Sequence, residues 1–308
     1  MVNPPVFKSR NFASLILIII KMSKKIVLIT GTNSGFGWLT AKSAAASGHT
    51  VYATMRDISG KNVDKAKELS EIENINVVEV TLTEEASVKN AVESIIAKEG
   101  KIDVLVNNAG FTINGVAESF TVGDVQEMFD VNVFAPWRLI KLVLPVMRQH
   151  SEGLIINISS GFGTFSSPFA TVYAASKFGL EGLSEGLHYE VRPLGVDVAI
   201  VQPGAFPTDI NSKNRFGSDL SVADAYEAIA EYPNKMMAAI GSMMETLKPN
   251  PQEVADAVIG LINTPKGQRP LRTVVDRGTG KYVEAANKAV EIEYAKAISA
   301  FGMEGLLS

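Results

Sequence analysis

Tyr173 and Lys177 are the residues whose types and spacing most directly suggest chemistry. Residues four apart on a helix share a face, with their Cβ atoms roughly 5–6 Å apart. A phenol titrates near pH 10 on its own, and a neighbouring ammonium group favours its ionised form. The pair therefore predicts a proton donor and acceptor at neutral pH. This spacing also occurs by chance on exposed helices, so it needs support from other residues.

A glycine-rich segment near the amino-terminal end provides a second chemical feature. It follows the apolar run Ile26–Thr30 and precedes a helix-length stretch. Glycines at a strand-to-helix junction allow close backbone approach, and the helix N-terminus offers free N–H groups to phosphate. We therefore predict that a nucleotide binds Gly31, Thr32, Asn33, Ser34, Gly35, Phe36 and Gly37.

The elements that position these residues alternate along the chain. Short runs rich in Val and Ile predict strands buried on both faces. Helix-length stretches lie between them, such as Trp38–Ser47, closed by Gly48, and Glu84–Lys98, closed by Gly100. Strict alternation predicts an α/β fold, a doubly wound parallel sheet of about seven strands with helices on both faces. The predicted strands are Ile26–Thr30, Val51–Met55, Val77–Val80, Ile102–Asn107, Leu154–Ile158, Val196–Gln202 and Leu271–Val275.

Two regions depart from this alternation. Residues 203–251 carry five prolines and four methionines, and we predict a substrate lid at about 205–250 within a single domain of residues 23–308. Methionine is an adaptable side chain that is common at tolerant binding surfaces. Ordinary packing between two helices is the alternative. Residues 1–22 are predicted to be a disordered extension, and a weak membrane anchor is the alternative there.

Composition excludes several classes of function. The net charge is −4 among 308 residues, so binding to nucleic acid is not expected. The absence of cysteine excludes disulfides and thiolate chemistry, and the three histidines show no metal-ligand spacing. The apolar run Leu15–Ile20 is far shorter than the roughly 20 residues of a membrane span. We expect a cytoplasmic protein with no metal and no integral membrane span.

Taken together, three motifs resemble those of the short-chain dehydrogenase/reductase family over about residues 25–275. They are Gly31-x-x-x-Gly35-x-Gly37, Asn107-Asn108-Ala109-Gly110 and Tyr173-x-x-x-Lys177. The pattern is similar to the branch that contains steroid and retinol dehydrogenases. The resemblance implies a Rossmann fold and an oxidoreductase that transfers a hydride between nicotinamide and a carbonyl or alcohol.

The resemblance implies four catalytic residues: Asn132, Ser160, Tyr173 and Lys177. Ser160 lies thirteen residues before Tyr173, which is the family's spacing. It would stabilise charge on the substrate oxygen while Tyr173 transfers the proton. Lys177 would lower the phenol pKa and bind the nicotinamide ribose, and Asn132 would hold a relay water. Two alternatives are that Ser159 is the active serine and that Asn132 only ties neighbouring elements together.

The residues after the second strand predict the choice of cofactor. Met55 occupies the position where NAD-preferring enzymes place an acidic residue, and Arg56 follows it. An arginine suits the 2′-phosphate of NADP. Asp57 could instead neutralise Arg56, so NAD remains the alternative cofactor.

The same resemblance implies further contacts to the cofactor. Thr81 stands where many members carry an adenine-binding aspartate. The remaining cofactor-binding residues implied are Leu82, Asn108, Ala109, Gly110, Tyr173, Lys177, Pro203, Gly204, Phe206 and Thr208.

Aromatic residues near the motifs predict the substrate class. We expect Ser160, Phe162 and Phe206 to contact an uncharged, lipophilic small molecule, because no basic cluster is present to clamp a phosphate. By resemblance we expect a homodimer or homotetramer. A non-catalytic nucleotide-binding regulator and a sugar-nucleotide epimerase or dehydratase are the competing classes. Those epimerases use a Gly-x-x-Gly-x-x-Gly loop, unlike this chain.

Overall fold

The structure is a computed structural model, and it describes residues 24–208 and 215–307. The predicted amino-terminal extension, residues 1–22, therefore lies outside the described residues. The strands are β1 Ile26–Thr30, β2 Thr50–Met55, β3 Ile75–Glu79, β4 Val104–Asn107, β5 Ile113–Asn114, β6 Gly153–Ile158, β7 Val196–Pro203, β8 Arg215–Phe216 and β9 Arg272–Val275.

Seven of these strands form one parallel sheet in the order β3-β2-β1-β4-β6-β7-β9. All seven correspond to the runs expected from the sequence, which confirms the predicted fold class. Strands β5 and β8 form a separate two-stranded sheet that the sequence did not predict. The strand order reverses between β1 and β4, and ligands bind such sheets at the carboxyl ends of the strands beside that reversal.

Helices cover both faces of the sheet, so its central strands are mostly apolar on both faces. In β1, Val27 and Ile29 pack into one core, whereas Ile26 and Leu28 pack into the other. The helices are α1 Gly35–Ala46, α2 Val63–Ser70, α3 Glu85–Glu99, α4 Val122–Phe129, α5 Ala135–Gln149, α6 Thr171–Val191, α7 Tyr232–Leu247, α8 Gln252–Asn263 and α9 Gly280–Ala300. Helices α1, α2 and α8 cover the first core, and α3, α5 and α6 cover the second.

Local signals account for several helix ends. Gly100 has φ +77° and caps α3 in the left-handed conformation, as expected. Helix α1 begins at Gly35, three residues before the expected start at Trp38. The final glycines of the glycine-rich segment therefore form the first turn of the helix.

The region predicted as a lid contains β8, a 3₁₀ segment at Leu220–Ile229 and helix α7. It lies between the last two strands of the main sheet, but residues 209–214 lie outside the described residues. No side chain of α7 is buried. Its thioether at Met236 lies 3.8 Å from the Ser167 hydroxyl, in the loop before α6.

In the part of the chain that the structure describes, none of the helices combines the length and apolarity that crossing a bilayer requires.

Candidate active site

The glycine-rich segment is locked against the end of β4. A Cβ atom on Gly31 would lie 2.8 Å from Ala109 Cα, and one on Gly37 would lie 2.3 Å from Asn108 Nδ2. The Asn108 amide donates hydrogen bonds to the carbonyl oxygens of Thr30 (2.8 Å) and Gly31 (3.1 Å). Only glycine fits at these two positions, so the backbone of the segment is held at a fixed place beside the crevice.

Thr30 is a structural residue of this site that sequence reasoning missed. Its hydroxyl oxygen accepts hydrogen bonds from the backbone N–H groups of Asn108 and Ala109, both at 3.0 Å. The side chain is only 2% exposed, so these bonds lie in a dry environment. Thr30 thus joins the ends of β1 and β4, and a threonine at the end of a buried strand was the available signal.

The turn after β2 places Arg56 at the surface near the glycine-rich segment. Asn62 links the two, because its amide donates to Arg56 O at 2.6 Å and its oxygen accepts from Asn33 Nδ2 at 3.2 Å. The Asp57 carboxylate accepts a hydrogen bond from the Lys61 backbone at 2.9 Å. Asp57 is therefore engaged in its own turn, and no Arg56–Asp57 ion pair forms within the described ranges.

Thr81 and Leu82 follow β3, at the same edge of the sheet. The Thr81 N–H group donates to the Ser87 hydroxyl at 3.0 Å, and Leu82 O accepts from Arg138 at 3.5 Å. Both contacts fix the backbone of this loop.

Asn132 lies in a π-helical segment, Asp130–Phe134, between α4 and α5. Its side chain is buried and makes reciprocal hydrogen bonds with the backbone of Phe111, at 3.1 and 3.2 Å. The amide also donates to Ser176 Oγ at 3.1 Å. Asn132 therefore ties the loop after β4 to α6. This is the linking role that the sequence left open as an alternative, and π-helical turns are frequent at functional sites.

Ser160 and Tyr173 meet in the cleft. The Ser160 hydroxyl accepts from the Phe162 backbone at 3.2 Å and is hydrogen-bonded to the Tyr173 phenol. The Phe162 ring packs edge-on against Tyr173, with centroids 6.5 Å apart. The Ser159 hydroxyl is instead buried close to Gly163. The geometry favours Ser160 over Ser159 as the serine that faces the phenol.

Lys177 lies one helical turn after Tyr173 and is 5% exposed. Its ammonium group donates to Ile158 O at 2.8 Å and lies 5.7 Å from the centroid of the Tyr173 ring. Burial lowers the pKa of Lys177 to about 8, and the Glu181 carboxylate acts in the opposite direction.

The pKa of Tyr173 differs from the sequence-based expectation. Burial raises this pKa above that of a free phenol, and the Ser160 hydrogen bond opposes the rise. Desolvation of the phenol dominates, and Lys177 is not among the groups that shift this pKa, contrary to the expectation.

The segment after β7 closes the other side of the cleft. Gly204 N donates to Val275 O at 2.9 Å, and a Cβ atom on Gly204 would collide with the Asp276 carboxyl. Phe206 is buried, with its ring edge-on to Phe36 at 5.4 Å. The Thr208 side chain lies 3.7 Å from the position a Cβ would take on Gly35. This segment therefore packs on the start of α1.

These groups line one cleft at the carboxyl edge of the sheet. It joins the glycine-rich segment to the Ser160–Tyr173–Lys177 cluster, so a dinucleotide has a backbone cradle at one end and reactive groups at the other. Ile158 and Ala205, which the sequence did not single out, also line it. The lining residues are Phe36, Asn108, Gly110, Phe111, Ile158, Ser159, Ser160, Tyr173, Lys177, Pro203, Gly204, Ala205, Phe206 and Thr208.

Comparison with known proteins gives a consistent result. Residues 25–218 match the family model described as short chain dehydrogenase. The 3-ketodihydrosphingosine reductase of Bacteroides thetaiotaomicron is 37% identical, over 74% of this chain and 86% of that protein. Human retinol dehydrogenase 8 is 32% identical over 80% of each chain.

A short-chain dehydrogenase from Streptomyces avermitilis has a similar structure. The two chains superpose with a TM-score of 0.73 at 30% identity, covering 92% of this chain and 98% of that one. The motifs, the sheet order and these matches agree. The chain belongs to the short-chain dehydrogenase/reductase family, oxidoreductases that act on CH–OH groups with NAD(P) as the hydride acceptor.

Proposed function

We propose that the protein is an NADP(H)-dependent oxidoreductase that interconverts an uncharged, lipophilic carbonyl compound and its alcohol. The observation that carries the proposal is that Ser160, the half-buried Tyr173 phenol and Lys177 come together in one cleft. Reactive groups in a shared cleft support catalysis rather than nucleotide sensing alone.

In this proposal each residue of the cluster has a distinct role. Tyr173 donates a proton to the carbonyl oxygen during reduction and takes it back during oxidation. Its raised pKa keeps the phenol protonated at neutral pH, which suits the donor role. Ser160 hydrogen-bonds the same oxygen as charge develops on it. Lys177 places a positive charge beside the phenol, and Asn132 holds α6 and the loop after β4 together.

The nicotinamide end of the cofactor supplies or accepts the hydride when it is bound. We propose that the glycine-rich segment from Gly31 to Gly37 holds the pyrophosphate against the N-terminus of α1. Thr81 and Leu82 would meet the adenine. The middle of the cofactor would be lined by Asn108, Ala109 and Gly110. Its nicotinamide end would be contacted by Pro203, Gly204, Phe206 and Thr208, together with Tyr173 and Lys177.

The preference for NADP over NAD rests on Arg56. Its guanidinium is exposed and is not paired with Asp57 among the described residues, so it is available to a 2′-phosphate. Arg56→Asp is expected to lower the ratio of kcat/KM with NADPH to that with NADH by about tenfold or more. Arg148→Asp, an equal change of charge at the exposed end of α5, serves as the control. An unchanged ratio in Arg56→Asp would favour NAD as the alternative cofactor.

The substrate class rests on the aromatic wall beside Tyr173. Phe162 contacts the phenol ring, and Phe165 packs against Phe162 at 6.3 Å. Phe206 is largely buried but still lines the cleft, so we propose that its ring contacts the substrate there. Two relatives are named for 3-ketodihydrosphingosine and retinol, both of which are lipophilic molecules.

A substrate panel tests this proposal. Aliphatic ketones and aldehydes of increasing chain length, retinoids and steroids are each assayed by absorbance with NADPH and NADH in parallel. We expect kcat/KM to rise with the apolar area of the substrate. Preference for short or charged carbonyl compounds would contradict the proposed class, and absence of turnover on every compound would contradict the enzymatic proposal.

Assembly, domain organisation and location complete the proposal. Large apolar side chains are exposed along the outer faces of α5 and α6, which supports a homodimer or homotetramer formed through these helices. They are Trp137, Phe178 and Leu183, with Phe134 just before α5. Trp137→Glu should lower the particle mass measured by light scattering, and an unchanged particle mass would contradict assembly through these helices.

We further propose one domain over residues 23–308 and a cytoplasmic location, to be tested by limited proteolysis and cell fractionation.

A further inference from the structure

The inner face of α6 carries buried polar side chains between its apolar ones. Lys177, Glu181, Ser184 and His188 follow one another at intervals of four, three and four residues, and each is at most 5% exposed. A helix that packs on a sheet normally buries an apolar stripe. Burial of charged side chains is costly unless they are paired, so each of these residues requires a partner.

Two of these four residues, Ser184 and His188, form hydrogen bonds that satisfy their buried polar groups. Ser184 Oγ donates to Leu180 O at 2.6 Å and accepts from the Asn157 amide at 2.8 Å. His188 Nδ1 lies 2.9 Å from Val198 O. These contacts fasten α6 to β6 and β7, and they leave Lys177 and Glu181 as the charged residues of the face.

Glu181 is held rigidly by groups from two strands. Gln202 Nε2 on β7 donates to one carboxylate oxygen at 2.9 Å. Arg272 Nε on β9 donates to the other, also at 2.9 Å. Both oxygens are therefore oriented, and the carboxylate is 4% exposed.

The same carboxylate lies against the turn that carries the active serine. A Cβ atom on Gly163 would lie 2.8 Å from Glu181 Cγ. Gln202 also donates to Thr164 Oγ1 at 2.9 Å and accepts from the Asn287 amide of α9 at 2.7 Å. Glu181 is thus the centre of a buried network behind Ser160 and Lys177.

The charges around Lys177 are few. Glu181, one helical turn later, is the charged group that acts on the ammonium, and it raises the pKa of Lys177 against the effect of burial. The other titratable neighbour is the Tyr173 phenol. Arg272 and Glu185 face Glu181 from its far side, and α9 contributes the neutral Asn287.

We propose that Glu181 is a positioning residue for Lys177: a fixed, buried carboxylate one turn away on the same face of α6 that holds the lysine in its cationic form. This inference rests on the proposed function, in which a charged Lys177 supports proton transfer by Tyr173. It explains why a carboxylate occupies a position where an apolar side chain would satisfy packing. A purely structural ion pair with Arg272 is the competing explanation.

Glu185 provides a matched control for that explanation. It lies one turn further along α6 and also pairs with Arg272, with its Oε1 3.2 Å from Arg272 NH1. Glu181→Gln and Glu185→Gln each remove one carboxylate partner of the same arginine. Glu181 lies one helical turn from Lys177 on the shared buried face, whereas Glu185 lies two turns away and is less buried.

The first measurement does not depend on turnover. The ¹³Cε resonance of Lys177 in lysine-labelled full-length protein is titrated with pH and assigned by its loss in Lys177→Met. We expect a titration near pH 8 in the unchanged protein. In Glu181→Gln it should move down by about one pH unit, because the opposite charge that favours the ammonium is lost. Glu185→Gln should titrate as the unchanged protein does.

The second measurement is the pH profile of carbonyl reduction. The alkaline limb of kcat/KM should move to lower pH by about one unit in Glu181→Gln and stay in place in Glu185→Gln. If no compound of the substrate panel is turned over, the proposed function fails and the pH profile cannot be measured, but the titration of Lys177 still decides this proposal.

If Glu181→Gln does not fold, the double variant Glu181→Gln/Arg272→Gln removes both charges of the buried pair. The pH at which Lys177 titrates should still be lower in this variant than in the unchanged protein. An unshifted Lys177 in these variants, or an equal shift in Glu185→Gln, would overturn the proposal.

Discussion

Two regions of the chain, the predicted nucleotide side and the predicted substrate side, are built in opposite ways. On the nucleotide side, residues 30–37 and 107–110, side chains and backbone interlock so closely that Gly31 and Gly37 have no room for a methyl group. On the substrate side, residues 215–247, helix α7 buries none of its side chains, and a Cβ atom on Gly241 would meet no atom within 4 Å. One side tolerates almost no change and the other tolerates a great deal.

The difference follows from what each side contacts. A dinucleotide has a constant shape, so a backbone cradle held by Thr30 and Asn108 suits it permanently. The lid predicted at about 205–250 would present a surface helix with flexible thioethers, such as Met236, which suits different apolar shapes. We therefore expect substrate range to be separable from the reaction itself.

Tyr173 lies in the cleft, and its loss is expected to have the largest effect. Tyr173→Phe removes the proton donor and keeps the ring that packs on Phe162, so kcat should fall by about 10³-fold or more. NADPH affinity, measured by fluorescence titration, should change little. Normal turnover in this variant would contradict the assignment of the proton donor.

A methyl group added on each side compares the two directly. In Gly37→Ala the Cβ atom would collide with Asn108 Nδ2 and Gly31 O, at 2.3 and 2.4 Å, so NADPH affinity should fall by about 100-fold. In Gly241→Ala the same change lies in open space within α7. It should raise the free energy of unfolding by about 0.5–1 kcal/mol, because alanine is the better helix former. An equal loss of NADPH affinity in both variants would contradict the difference between the two regions.

Adjacent methionines of α7 test the substrate side more finely. Met236 contacts the Ser167 hydroxyl, whereas Met237 is 47% exposed. Met236→Ala should raise the KM for a lipophilic substrate by about tenfold or less, while leaving NADPH affinity unchanged. Met237→Ala is the control and should leave both constants as they are. A changed NADPH affinity in Met236→Ala would show that the two sides are not independent.

The smallest effect concerns the contact between β8 and α4. Asp124 accepts hydrogen bonds from both the hydroxyl and the backbone of Ser218, and these bonds, the hydroxyl's above all, lower its pKa to about 2. A depressed folded-state pKa stabilises the contact above pH ~4, and that stabilisation is lost as the pH falls towards 2.

Hydrogen exchange at Ser218 and Asp219, corrected for intrinsic rates, should therefore accelerate between pH 4 and pH 2. Asp124→Asn should show weak protection at every pH. Constant protection across this window in the unchanged protein would contradict the role of the carboxylate.

Sequence pattern predicted the main sheet because buried parallel strands are apolar on both faces, as Val27 and Leu28 show. It also indicated the residues of the cleft, since the family's motifs are local in sequence. Strands β5 and β8 were missed because two residues form no periodicity and pair across about a hundred residues. The pairing of Glu181 with Arg272 was missed for the same reason. The pKa of Tyr173 depends on burial, which spacing along a helix does not report.

The π-helical segment at Asp130–Phe134 has a consequence for how this chain accepts insertions and deletions. Such a segment is equivalent to one extra residue in an α-helix. Deleting a single residue there would remove the extra residue of the π-helical turn and rotate everything beyond the deletion by roughly 100° relative to α4. Asn132 would then lose its hydrogen bonds to the Phe111 backbone, and the exposed Trp137 would point in a different direction around the helix axis. In this stretch the length of the chain is as constrained as its chemistry.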